Sequence, residues 1–120
     1  MANAKKISGA GDARTTVGRM VEDIVGCKWS LAVLGLVRRG VTRPGALEHA
    51  IEGLSAKVLN ERLRKLQRFG IVARQAYPEI PPRVEYRLTA FGERFAAILD
   101  AIDALEEDLA AVDGRPPRSP

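Results

Sequence analysis

"LSAKVLNERLRKLQRFGIVARQAYPEIPPRVEYRLT", Leu54–Thr89, changes its hydrophobic period halfway along, and that change decides how the chain is read. The first half has a helical period. Leu59, Leu63 and Leu66 fall at i, i+4 and i+7 and form one apolar stripe; Ser55 stands as an N-cap and Gly70 marks the end. At about 100° per residue, Lys57, Asn60, Glu61, Arg64 and Arg68 gather on the opposite side. Lys57, Asn60, Arg64 and Arg68 carry donors of the types that reach phosphates and base edges. A solvated helix face has the same composition, so this helix alone leaves both readings open.

The second half has a period of two. "IVARQAY" and "RVEYRLT" read as strands separated by "PEIPP". Val84, Tyr86 and Leu88 alternate with Arg83, Glu85 and Arg87, which predicts one face toward a core and one toward water. Pro78, Pro81 and Pro82 would interrupt a ladder but suit a hairpin tip, where no backbone N–H is needed. A stiff tip loses less entropy on docking. Arg74 and Arg83, which flank it, become candidates for phosphate or minor-groove contacts, against a purely structural hairpin.

Toward the N-terminus, "GVTRPGALEHAIEG" predicts a short helix capped by Thr42, with Pro44 in its first turn and Gly53 closing it. Two short helices joined by "EGLS" have helix-turn-helix spacing, and a hairpin directly behind them makes the wing. Arg43, just ahead of the first of these helices, joins the phosphate candidates. Upstream, Val17, Met20, Val21 and Ile24 predict a helix from about Thr16 to Val25. "GCKW" breaks it, and a second helix follows from near Ser30 to Gly40. The expected fold is mainly α with a small β-hairpin, a winged helix-turn-helix.

Beyond the hairpin, Thr89 can cap a long terminal helix. Phe95, Ile98, Ile102, Leu105, Leu109 and Val112 follow at spacings of 3, 4, 3, 4 and 3, a heptad seam. Phe95, Ile98, Ile102, Leu105 and Leu109 are therefore expected at a homodimer contact, although Phe91 and Phe95 can also fold back on their own domain. The expected organisation is a flexible tail over 1–12, one domain over 13–113 with the dimerisation helix from about residue 90, and a disordered tail over 114–120.

Charge supports a division of labour. Residues 1–89 hold 16 Lys/Arg against 8 Asp/Glu, whereas 90–113 hold Arg94 against seven acids. A basic body and an acidic terminal helix fit a polyanion partner on one side only. With 46% apolar and 28% charged residues the composition is that of a globular domain. Its one cysteine forms no internal disulfide, no apolar run spans a membrane, and no secretory leader opens it; a cytoplasmic protein is expected. His49, the sole histidine, cannot build a zinc site with one distant cysteine. No phosphate loop or Ser/His/Asp set is present, so neither an enzyme, a metal nor a cofactor is expected.

"GCKWSLAVLGLVRRG" and "IEGLSAKVLNERLRKLQRFGIVARQAYPEIPPRVEYRLTAFGE" resemble the HxlR-type winged-helix transcriptional regulators over about Val17 to Ile98. The resemblance implies a homodimer on a palindrome-like operator in double-stranded DNA, with Ser55–Arg68 as recognition helix and Val72–Leu88 as wing. It also implies that Lys28-Trp29 opens the second helix. Three positions depart from the family pattern. Many relatives carry a cysteine thirteen residues before the tryptophan, and some sense electrophiles or oxidants through it; this chain has Thr16 there. Cys27 replaces a usual glycine; beside Lys28 and near a helix N-terminus, it is a candidate redox residue, with an inert small thiol as the alternative. In "TRPGAL", Pro44 stands where relatives commonly place an aromatic residue. Two further readings share the fold: a protein-interaction module, and a regulator whose small-molecule effector sits at the dimer interface near Trp29, Tyr86 and Phe95.

Overall fold

The computed structural model describes residues 15–114; the expected tail at 1–12 and all but Gly114 of the one at 114–120 lie outside them. Helix α1 (Val17–Val25) is capped by the Thr16 hydroxyl, which accepts from the Arg19 N–H at 3.1 Å, and it buries Met20 and Ile24. Helix α2 (Lys28–Arg38) begins at the Lys-Trp pair, two residues before the start that apolar periodicity gives. It buries Val33, Leu34 and Val37, and Gly40 follows in the left-handed region.

Helix α3 (Pro44–Ala50) opens on its proline, but Arg43 and not Thr42 is the N-cap. Thr42 is engaged elsewhere: its carbonyl accepts from the Tyr86 N–H at 2.8 Å, which lays this loop along the outer edge of the hairpin. The helix also stops at Ala50, short of Gly53. Gly53 instead has φ +85°, a backbone state that a side chain would strain, and turns the chain into the buried Leu54.

Helix α4 (Ala56–Arg68) is capped as its sequence predicts, with the Ser55 hydroxyl accepting from the Val58 N–H at 3.1 Å. Leu59, Leu63 and Leu66 are fully buried. Each such side chain contributes roughly 1.5–3 kcal/mol by leaving water. Lys65 reaches Asp23 at 2.7 Å and ties α4 to α1. Strands β1 (Val72–Tyr77) and β2 (Arg83–Leu88) then pair antiparallel, from Val72 opposite Leu88 to Tyr77 opposite Arg83, with the proline segment 78–82 as the tip.

The inner face of β2 behaves as expected, with Tyr86 buried and Val84 and Leu88 packed on the core. Its outer face does not. Glu85, predicted to meet water, is only 7% exposed, because Arg43, Arg83 and Arg87 close over it.

Helix α5 (Ala90–Asp113) starts in a clasp. The Thr89 hydroxyl accepts from the Gly92 N–H at 2.9 Å and donates to the Gly70 carbonyl, while the Thr89 N–H donates to the Ile71 carbonyl at 3.0 Å. A β-carbon on Gly92 would overlap the Ile71 carbonyl oxygen, so only glycine lets the helix approach so closely. Phe95 and Leu99 then enter the core, and Phe95 stacks with Phe91 at 6.4 Å between ring centroids. This corrects the seam reading at Phe95, which at 1% exposure has no surface to offer a partner. Arg38 on α2 holds Asp100 by two hydrogen bonds of 2.9 Å. No helix among the described residues is long and apolar enough to cross a membrane.

Candidate nucleic-acid interface

The row expected on α4 is present. Lys57, Asn60, Glu61, Arg64 and Arg68 are all exposed, and no side chain of the row has a partner among the described residues. Their orientation follows from the leucine stripe, since burying Leu59, Leu63 and Leu66 turns the opposite arc outward. Ser55 is also exposed, at the N-terminal end of the row.

The wing is less simple than its sequence implies. Arg74 lies opposite Tyr86 in the ladder and so belongs to the inner face, yet it is exposed and partner-free among the described residues. Arg83 lies opposite Tyr77 on the outer face. Its guanidinium sits 3.9 Å from the centre of the Tyr77 ring and 3.1 Å from a Glu79 carboxylate oxygen. The two wing arginines thus flank the hairpin from opposite faces, one free and one held.

Glu85 is the centre of a cationic cluster. Arg87 Nη2 donates to Oε1 at 2.6 Å, while Arg83 Nε and Arg43 Nε stand 3.6 and 3.8 Å from Oε2. The first is a charge-assisted hydrogen bond; the other two are too long for hydrogen bonds and act as charge contacts. The hydrogen bond to Glu85, with its charge, pushes Arg87 above the usual guanidinium range. A buried carboxylate left alone would carry a penalty of several kcal/mol, which three guanidinium groups offset. Arg43 is thereby linked to the wing although it precedes Glu85 by more than forty positions in the chain. Sequence reasoning missed Arg87. The signal was the alternation itself, which puts Arg83, Glu85 and Arg87 on one face.

The dimerisation candidates divide along α5. Phe95 is core and Ile102 is half-buried against it, whereas Ile98, Leu105 and Leu109 are exposed, Leu105 at 68%. Val112 continues that apolar row. Of the residues expected around an effector, Tyr86 and Phe95 are packed into the core of their own domain, with Trp29 against it. A groove of about 660 Å³ lies instead between α2, the end of α3 and α5, with Leu31, Leu36, Ile51 and Leu99 among its walls.

Cys27 is the N-cap residue of α2 and partly exposed. Burial pushes its thiol up, but the nearby polar groups of Ser30, the Arg62 charge and the Trp29 N–H outweigh this and set it below the ordinary value. His49 is exposed on α3 with Nδ1 3.0 Å from the Gly45 carbonyl.

Known proteins are similar in sequence and in fold. The sequence profile of the HxlR-like helix-turn-helix family matches residues 24–113. The HTH-type transcriptional regulator sll1512 of Synechocystis is 47% identical over 88 residues, which are 73% of this chain and 65% of that protein. The chain therefore spans just under two thirds of that relative's length. The HTH-type transcriptional regulator YtfH of Escherichia coli is 40% identical over 93 residues, 73% of this chain and 74% of the other. A crystal structure from Enterococcus faecalis, assigned to the MarR family of transcriptional regulators, matches with a TM-score of 0.74 and 30% identity over 87% of this chain and 98% of that one. With its helix-turn-helix, its wing and the profile match across α2 to α5, the chain belongs to the HxlR-like helix-turn-helix family of transcriptional regulators.

Proposed function

We propose that the protein binds double-stranded DNA sequence-specifically as a homodimer, laying α4 in the major groove of each half of a palindrome-like operator. The observation that carries this is the outward, partner-free row of α4. Lys57, Asn60, Glu61 and Arg64 lie nearest base edges, with Ser55 at the groove wall. Arg68, Arg74, Arg83 and Arg43 meet phosphates, which set register without reading sequence. The exposed row Ile98, Leu105 and Leu109 supports pairing through α5, and its acidic surface keeps that helix on the side away from DNA. A two-fold protein then asks for half-sites about one turn, ~34 Å, apart.

Salt dependence tests the reading. If about four phosphates are neutralised per subunit, log affinity for a duplex selected from a random pool falls with log salt at a slope of roughly −7. A slope near zero, or no retardation of duplex DNA at physiological salt, contradicts it and favours a protein-interaction module on the same fold.

A further inference from the structure

Glu85 is the one buried charged side chain among the described residues, and nothing in the DNA-contact reading uses it. We propose that Glu85 is a positioning residue: its carboxylate gathers Arg43, Arg83 and Arg87 into one fixed constellation that joins the start of α3 to the wing, so that phosphates are met in a single register. The proposal rests on the DNA-binding reading above.

Three observations lead to it. Arg43 is the N-cap residue of the first helix of the helix-turn-helix and Arg83 and Arg87 belong to the wing, yet all three converge on Glu85 at 2.6–3.8 Å. The backbone beneath is already joined by the Tyr86 N–H to Thr42 carbonyl bond, whose residues adjoin Glu85 and Arg43 in sequence. The loop and the strand therefore stay adjacent without the carboxylate, which acts on the side chains. Finally, three guanidinium groups exceed the charges of Glu85 and Glu79, so the cluster keeps a net positive charge for phosphate.

An arginine free in solvent samples many rotamers and loses that freedom on binding, whereas one already held loses less. Without the central charge Arg43 and Arg87 would swing away, while Arg83 keeps its Glu79 and Tyr77 contacts. Phosphate attraction would persist, but its register would blur, and α4 depends on that register to meet base edges. Glu85 thus governs discrimination more than attraction.

The test uses the full chain and a duplex that the wild type selects from a random pool, with a scrambled duplex beside it. Kd is measured by fluorescence anisotropy at several salt concentrations, and folding by circular dichroism. For Glu85→Gln, the preference for the selected over the scrambled duplex falls about tenfold. Its salt slope does not become shallower, because every cation remains. Arg87→Lys, at an exposed position, keeps its charge and the slope but loses part of the preference, since an ammonium cannot reproduce the guanidinium geometry. Should Glu85→Gln fail to fold, Arg87→Lys and Arg43→Lys decide by the same two readouts. Equal weakening on both duplexes, or tighter binding with preference intact, overturns the role of Glu85 and leaves the DNA-binding reading standing. Wild type that retains no duplex overturns both.

Discussion

Residue by residue, the cations of the surface divide into those that are free and those that are held. Arg64 is free, at the middle of the exposed arc of α4. Replacing it with alanine is expected to weaken binding to a selected duplex by about 1–3 kcal/mol if it pairs with a guanine, with little loss on scrambled DNA. Anisotropy titrations on both duplexes check this, and equal losses reassign Arg64 to a phosphate. Cys27 is expected to be alkylated by iodoacetamide with a pH midpoint below that of free cysteine, because its thiolate is favoured at the start of α2. A midpoint at or above the free value removes the candidate redox role. At Asp100 the shift has the same sign: its hydrogen bonds from Arg38 hold the carboxyl below its usual value. That stabilisation is present above the unfolded carboxylate pKa and is lost as pH falls through the lower folded value. Because the pair is largely exposed, with side chains 36% and 57% accessible, the loss is small, on the order of 1 kcal/mol or less. Urea unfolding of Asp100→Asn against wild type at neutral pH measures it.

At the element scale, the α4 stripe and the α5 clasp set where the surface residues point. Leu63→Ala is expected to destabilise by about 2–5 kcal/mol, the range for a fully buried leucine. Gly92→Ala leaves every apolar contact in place and still destabilises, by about 1–3 kcal/mol, because the new methyl group meets the Ile71 carbonyl. Denaturant midpoints distinguish these from neutral surface changes. The same elements show what sequence could reveal. Helix α4 was legible because three leucines and two end signals agreed, and the hairpin because its prolines and its alternation agreed. Thr42 misled, since its side chain suits a cap while its backbone is taken by β2, a contact no local pattern announces. Glu85 was legible as to face but not as to burial, which depends on Arg43 arriving from another element. The heptad of α5 named apolar positions correctly but could not apportion Phe95 to the core and Leu105 to the surface.

Across the whole molecule, a basic body and an acidic terminal helix with an exposed apolar row form a division that suits the proposed DNA contact on one side and pairing with a second copy on the other. Replacing Leu105 and Leu109 together with Glu is expected to shift the protein toward monomer in sedimentation equilibrium while leaving the circular dichroism of the fold unchanged, since both are exposed. Binding to a two-half-site duplex falls with it, whereas a single half-site is little affected. Amide chemical-shift mapping on addition of the selected duplex tests whether the α4 row and the wing form one DNA-binding surface. The account predicts changes concentrated in residues 55–68, 72–88 and at Arg43, with α5 beyond Asp100 unchanged. Changes confined to α5, or absent from α4, would contradict it.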